Sequence, residues 1–87
     1  MNIHVSNLGT QVTEDSLNAT FSAYGIVESV TIVTDQFNGK PKGFAFVEMP
    51  LETEAITAIE KLNNAVVNGL HLSVKEEQVV STNAVHN

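Results

Sequence analysis

The residues in this sequence best suited to ligand chemistry are concentrated in the segment Lys42–Met49, which runs Lys-Gly-Phe-Ala-Phe-Val-Glu-Met. Side chains of an extended strand alternate between two faces, so Phe44, Phe46 and Glu48 share one face. The aliphatic residues between them share the other. Aromatic rings on an uncovered sheet face can stack on nucleic-acid bases, and each stacked base contributes about 1–3 kcal/mol. The spacing therefore predicts a stacking surface for single-stranded nucleic acid.

A second interpretation uses the same two rings differently. Large apolar groups on a solvated sheet face also mark sites where another protein docks. Phe44 and Phe46 could therefore form the centre of a protein–protein interaction module on the same fold. The acidic pair Glu76-Glu77 near the end of the folded part favours this alternative, because carboxylates repel phosphate.

The elements that must position these rings follow from the hydrophobic pattern. Thr13 is suited to cap the first helix, Gly25 to end it, and Pro50 to end the third strand. Two-residue and helical periodicities predict six elements, namely a strand at 3–6, a helix at 14–24, strands at 27–34 and 42–49, a helix at 52–62 and a strand at 70–75. This order predicts the α+β class, as a ferredoxin-like βαββαβ sandwich with two helices on one face of a four-stranded antiparallel sheet.

Length and composition restrict the remaining possibilities. Eighty-seven residues are enough for one domain, which we place at residues 1–77, and the polar residues 78–87 are expected to form a disordered C-terminal tail. The chain contains no cysteine, which excludes disulfides and thiolate metal sites. Its start does not resemble a signal peptide, and it has no apolar run of about 20 residues. We therefore expect a cytoplasmic protein.

Two segments together resemble the RNA recognition motif family. Lys42–Met49 is similar to the eight-residue ribonucleoprotein signature of that family, and residues 3–8 are similar to its six-residue companion on the first strand. The resemblance covers residues 2–76 and is closest to the short single-domain members found in bacteria. It implies binding of single-stranded RNA on the open sheet face, with no cofactor and no catalysis.

Positions in this sequence acquire roles from the resemblance. Phe46 is expected to stack on one base, Phe44 to pack against a sugar or between nucleotides, and His4 to occupy the companion stacking position. Lys42 is expected to contact phosphate, and Asn7 to shape the turn after the first strand. The complete set of expected RNA-binding residues is His4, Ser6, Lys42, Phe44, Phe46, Glu48, Ser73 and Lys75.

The charge predicts that binding is weak. Ten acidic residues face four lysines, giving a net charge of −6, whereas nucleic-acid binders are usually basic. Half of the acids fall on the predicted helices, behind the sheet, where salt screens them over a Debye length of about 8 Å. We therefore expect affinity to come from stacking more than from phosphate contacts. Single-stranded DNA is a related ligand, and we expect a monomer.

Enzymatic and metal-binding interpretations lack the necessary residues. The acylphosphatase type of ferredoxin-like enzyme holds phosphate with an arginine, and the chain has none. Metallochaperones on this fold need a Cys-x-x-Cys loop. His4 and His71 are expected to share the open face, but without an acidic cluster they form a poor metal site.

Overall fold

The computed structural model describes residues 1–9, 11–67 and 69–77, which form two helices and six strands. In chain order these are β1 (Asn2–Ser6), α1 (Glu14–Ser22), β2 (Ser29–Thr34), β3 (Pro41–Glu48), α2 (Glu52–Leu62), β4 (Val66–Val67), β5 (Leu70–His71) and β6 (Ser73–Glu76). Four of the strands form an antiparallel sheet in the order β2-β3-β1-β6. The predicted α+β, ferredoxin-like arrangement is confirmed.

The core lies between one face of this sheet and the two helices. The inward residues of the central strands are fully buried, among them Ile3, Val5, Ala45 and Val47. They pack in one cluster with Leu17 and Phe21 of α1 and with Ala55, Ala58 and Leu62 of α2. Because both helices cover the same face, the opposite face of the sheet is open.

The first helix begins at the predicted residue and ends two residues before the predicted end. Thr13 Oγ1 accepts a hydrogen bond from the Ser16 backbone N–H at 3.1 Å, and Ser16 Oγ accepts one from the Thr13 N–H at 3.1 Å. These two bonds satisfy backbone donors that have no partner within the helix. The helix ends at Ser22 rather than at residue 24. The Tyr24 N–H instead bonds to Phe21 O at 3.0 Å, three residues back, which tightens the last turn.

The predicted last strand at 70–75 is wrong in its first half. Leu70 and His71 pair with β4 in a separate two-stranded sheet, and only Ser73–Glu76 joins the main sheet. The reason lies at Leu72, which is buried and whose N–H donates to Ala65 O at 2.8 Å. This bond turns the backbone toward the end of α2.

The outer edge of β6 is also hydrogen-bonded to the residue that follows α2. The Val74 N–H donates to Asn63 Oδ1 at 3.1 Å, across from the β1 pairing. Leu72 and Val74 are both buried, as the sequence predicts. Since β5 belongs to the small hairpin, the expectation that His71 shares the open face with His4 is wrong.

The tail expected at residues 78–87 lies outside the described residues, so its predicted disorder stays a prediction. Across the described ranges, no helix is long and apolar enough to span a membrane.

A shift of register separates the start of β3 from its remainder. Ile32 pairs with Ala45 but Thr34 pairs with Pro41, so β3 contains two residues more than β2 over this interval. Gly43 lies within it at φ +92°, in the left-handed region that favours glycine. The Gly43 carbonyl accepts a hydrogen bond from the Leu8 N–H at 2.9 Å. This glycine therefore lets the strand deform immediately before Phe44.

We predict that Gly43→Ala lowers the free energy of unfolding by about 1 kcal/mol, because an L-residue at positive φ is strained. Urea denaturation followed by circular dichroism measures the change. A Cβ at this position meets no atom within 4 Å, so Gly43→Asn is a suitable control: asparagine tolerates left-handed backbone and should cost less. Equal stability of wild type and the alanine variant would contradict the prediction.

Candidate functional site

Three aromatic side chains form a cluster on the open face. The ring centroids of His4 and Phe46 lie 5.3 Å apart at 63°, those of His4 and Phe44 lie 5.6 Å apart, and those of Phe44 and Phe46 lie 6.4 Å apart at 87°. Tilted and edge-to-face arrangements at these distances are favourable for aromatic pairs. All three side chains are only half-buried. The cluster, hereafter the ring cluster, therefore presents aromatic surface to solvent.

Strand register places the ring cluster at the centre of the sheet. Phe46 lies opposite Thr31 on β2 and opposite His4 on β1, and His4 lies opposite Lys75 on β6. One row of side chains thus crosses all four strands and ends at an exposed lysine.

A second row lies beside the first. Ser6 on β1 is opposite Phe44 on one side and opposite Ser73 on the other. Ser73 is exposed and Ser6 is half-buried. Both hydroxyls can donate or accept a hydrogen bond, which suits contact with a sugar or a base edge.

Lys42 lies apart from these rows. It is exposed and precedes Gly43, beyond the stretch of β3 that pairs with β1. Lys40 is also exposed, in the loop that joins β2 to β3. The structure therefore places Lys42 at the periphery of the ring cluster, at the loop end of the sheet.

The other end of the open face is acidic. Glu48 lies opposite Asn2 and Ser29, and Ser29 Oγ donates a long hydrogen bond of 3.4 Å to Glu48 Oε1. A shallow pocket of about 330 Å³ opens here beside the ring of Phe46. The pocket is lined by Asn2, Ser29, Thr31, Phe46, Glu48 and Glu77.

Glu48 belongs to the set expected from the sequence, whereas Asn2 and Ser29, which also line this pocket, do not. As a charged pair in the sequence, Glu76 and Glu77 are equivalent. In the structure Glu76 lies opposite the buried Ile3, whereas Glu77 lines the pocket. Strand alternation accounts for this difference, because Glu77 follows Lys75 by two residues and both therefore lie on the open face.

The helical acids lie away from this surface, as expected. Glu14 and Asp15 begin α1, while Glu52, Glu54 and Glu60 belong to α2. Both helices cover the opposite face of the sheet. Within the described part of the chain, no group of three His, Asp or Glu residues is arranged to hold a metal ion.

Two further polar side chains matter near the site, and for Asn7 the expectation from the sequence is met. Asn7 has a positive φ of 64°, and its Nδ2 donates to His71 O at 2.8 Å, so it shapes the turn after β1. Within the ring cluster, His4 Nδ1 is buried and has no hydrogen-bond partner. A buried polar atom without a partner costs roughly 1–3 kcal/mol. Histidine is thus not the most stable choice at this position.

Comparison with known proteins gives consistent results. The family model described as RNA recognition motif matches residues 3–78. RbpA of Nostoc sp., which is named for RNA binding, is 46% identical over 76 residues, covering 87% of this chain and 74% of that protein.

Solved structures agree with the family match. The crystal structure of RNA Binding Protein PG1 superposes with a TM-score of 0.86 at 43% identity, covering 88% of this chain and 93% of that one. A complex of the Sex-lethal protein with RNA superposes with a TM-score of 0.82 at 37% identity, covering 87% of this chain and 47% of that one.

We predict that His4→Phe raises the free energy of unfolding by about 1 kcal/mol, because it removes the unpartnered nitrogen and keeps an aromatic ring. Chemical denaturation measures the change. His71→Phe is the matched control, since His71 is exposed and its Nδ1 lies 3.3 Å from Asn64 O. An equal gain from both variants would show that the effect does not come from the buried nitrogen.

Proposed function

Because the chain belongs to the RNA recognition motif family, we propose that it binds single-stranded RNA on the open face of its sheet. The observation that carries this proposal is the ring cluster, which exposes three aromatic rings at the centre of a face that no helix covers. The similarity to RbpA and to the Sex-lethal protein that was solved with RNA supports it.

Stacking provides most of the affinity. Phe46 and His4 each receive a base, and Phe44 packs against the sugar between them. One stacked base contributes about 1–3 kcal/mol, so two bases account for a weak complex without further contacts. Single strands are preferred because their bases are free to unstack onto the protein, whereas the bases of a duplex are not.

Polar groups around the rings orient the strand. Lys75 contacts a phosphate beside His4, and Lys42 contacts another at the loop end of the sheet. The hydroxyls of Ser6 and Ser73 bond to sugar or base edges. Glu48 offers acceptor oxygens only, so its partner must be a donor, on a base edge or a ribose hydroxyl, rather than a phosphate.

The remaining features of the proposal follow from this binding mode. The domain comprises residues 1–77 and acts as a monomer in the cytoplasm, without catalysis or cofactor. Single-stranded DNA would bind to the same rings, since stacking does not require a 2′-hydroxyl. Docking of a protein on Phe44 and Phe46 uses the same surface, but the family match and the relatives named for RNA binding favour RNA.

We expect Phe44→Ala combined with Phe46→Ala to weaken binding of a short single-stranded RNA at least tenfold while the domain stays folded, because neither ring belongs to the buried core. Titrations followed by backbone amide shifts measure this. In the wild type the shifts should concentrate at His4, Phe44, Phe46 and residues 73–77. Shifts confined to α1 and α2 would refute the proposed surface.

A core variant provides the control for folding. Phe21 is fully buried, and Phe21→Ala should cost about 3–5 kcal/mol and unfold much of the population. If the double variant of the ring cluster loses stability to the same extent, the two phenylalanines act in the core and the proposed mode is wrong.

The salt dependence of binding tests the balance between stacking and charge. If Lys40, Lys42 and Lys75 each neutralise one phosphate of a single strand, log affinity should fall with log salt at a slope no steeper than about −2. Fluorescence anisotropy at several salt concentrations measures the slope. A much steeper slope would mean that phosphate contacts dominate, contrary to the net charge of −6.

A further inference from the structure

The acidic pocket beside Phe46 has a composition that a phosphate site would not have. Its lining contains two carboxylates, Glu48 and Glu77, together with neutral polar side chains, and it contains no lysine. The nearest row of the sheet ends at Lys75, on the far side of His4. A nucleotide that enters the pocket must therefore place its phosphate elsewhere and its base edge inside.

Phe46 fixes how a base approaches this pocket. Its ring belongs both to the ring cluster and to the pocket lining. The polar edge of a base lies in the plane of its ring, so a base stacked on Phe46 directs that edge toward the side chains that surround Phe46 on the same face. On one side these neighbours are His4 and Phe44, and on the other they are the groups of the pocket.

Two of the polar side chains that line the pocket, Glu48 and Glu77, are carboxylates, whereas Asn2, Ser29 and Thr31 can both donate and accept hydrogen bonds. An ionised carboxylate accepts only. The Ser29 hydroxyl already donates to Glu48 Oε1 at 3.4 Å, so toward a ligand it can act as an acceptor. The Glu77 backbone N–H is used as well, since it donates to Asn2 O at 2.8 Å. The base that fits best is one whose edge carries donors.

We propose that Glu48 and Glu77 make this surface selective for bases with a donor-rich edge, with guanine preferred and uracil disfavoured. Guanine presents N1–H and the 2-amino group side by side, which match the two oxygens of one carboxylate. Adenine and cytosine present one amino group each. Uracil presents a single N3–H between two carbonyl oxygens, which the carboxylates repel. This inference rests on the proposed RNA binding and specifies its substrate class.

The test uses heptamers of uridine in which the central nucleotide is guanosine, inosine, adenosine, cytidine or uridine. We expect the guanosine heptamer to bind about tenfold more tightly than the all-uridine heptamer, a typical value for one bidentate pair. Inosine lacks the 2-amino group, so the inosine heptamer should bind with an affinity between those of the guanosine and all-uridine heptamers. Isothermal titration or anisotropy at fixed salt measures the constants.

Three variants assign the preference to its residues. Glu48→Gln and Glu77→Gln keep the size of the side chain but add a donor that can bond to uracil, so each should reduce the guanosine preference several-fold. Glu76→Gln is the matched control, because it removes the same charge from a residue opposite Ile3 and outside the pocket. It should leave the preference unchanged.

The outcomes separate this inference from the function on which it rests. Equal binding of the guanosine and all-uridine heptamers, or a preference that survives Glu48→Gln combined with Glu77→Gln, would overturn the inference while RNA binding stands. If no heptamer binds the wild type at millimolar concentration, the proposed function itself fails. A preference lost equally in Glu76→Gln would show a general charge effect and also overturn the inference.

Discussion

The structure depends on the pairing of β3 with β1 in one register. Because alternate residues of a strand point to opposite faces, this register sends Ala45 and Val47 into the core and Phe44 and Phe46 to the open face. A slip of one residue would exchange the two sets. Burial of the aliphatic set against α1 and α2 therefore holds the aromatic set on the surface, where rings alone would not stay. Stability and ligand binding are in this way two results of one hydrophobic pattern.

The sequence predicts those parts of the fold that depend on local patterns. The second helix lies at the predicted residues 52–62, because an amphipathic pattern between Pro50 and Asn63-Asn64 defines it locally. The alternation in β3 likewise predicts the ring cluster. The split of the last strand could not be predicted, because it depends on a hydrogen bond between Leu72 and Ala65 that only the packed end of α2 brings together.

In the candidate site, too, local patterns predict some residues, and others depend on how distant segments pack together. Alternation along a strand predicts which of its residues share a face. The acidic pocket could not be predicted in this way, because it depends on the order in which the strands lie side by side in the sheet. Asn2, Glu48 and Ser29 come from three separate segments and meet only through register. The net charge of −6 does not describe the open face, because the helical acids lie on the opposite side of the sheet, as the sequence predicts. What matters for a ligand is which acids share its face, and two of these line the pocket.

The bond between the Val74 N–H and Asn63 Oδ1 has a consequence for how the domain meets other chains. An edge strand with free donors offers a template on which a further strand can add. On β6 the Val74 donor is already occupied by a side chain from the end of α2. Addition of a peptide strand there would have to break this bond first. The bond therefore acts against aggregation through this edge, and it directs recognition to the broad surface of the sheet rather than to its margin.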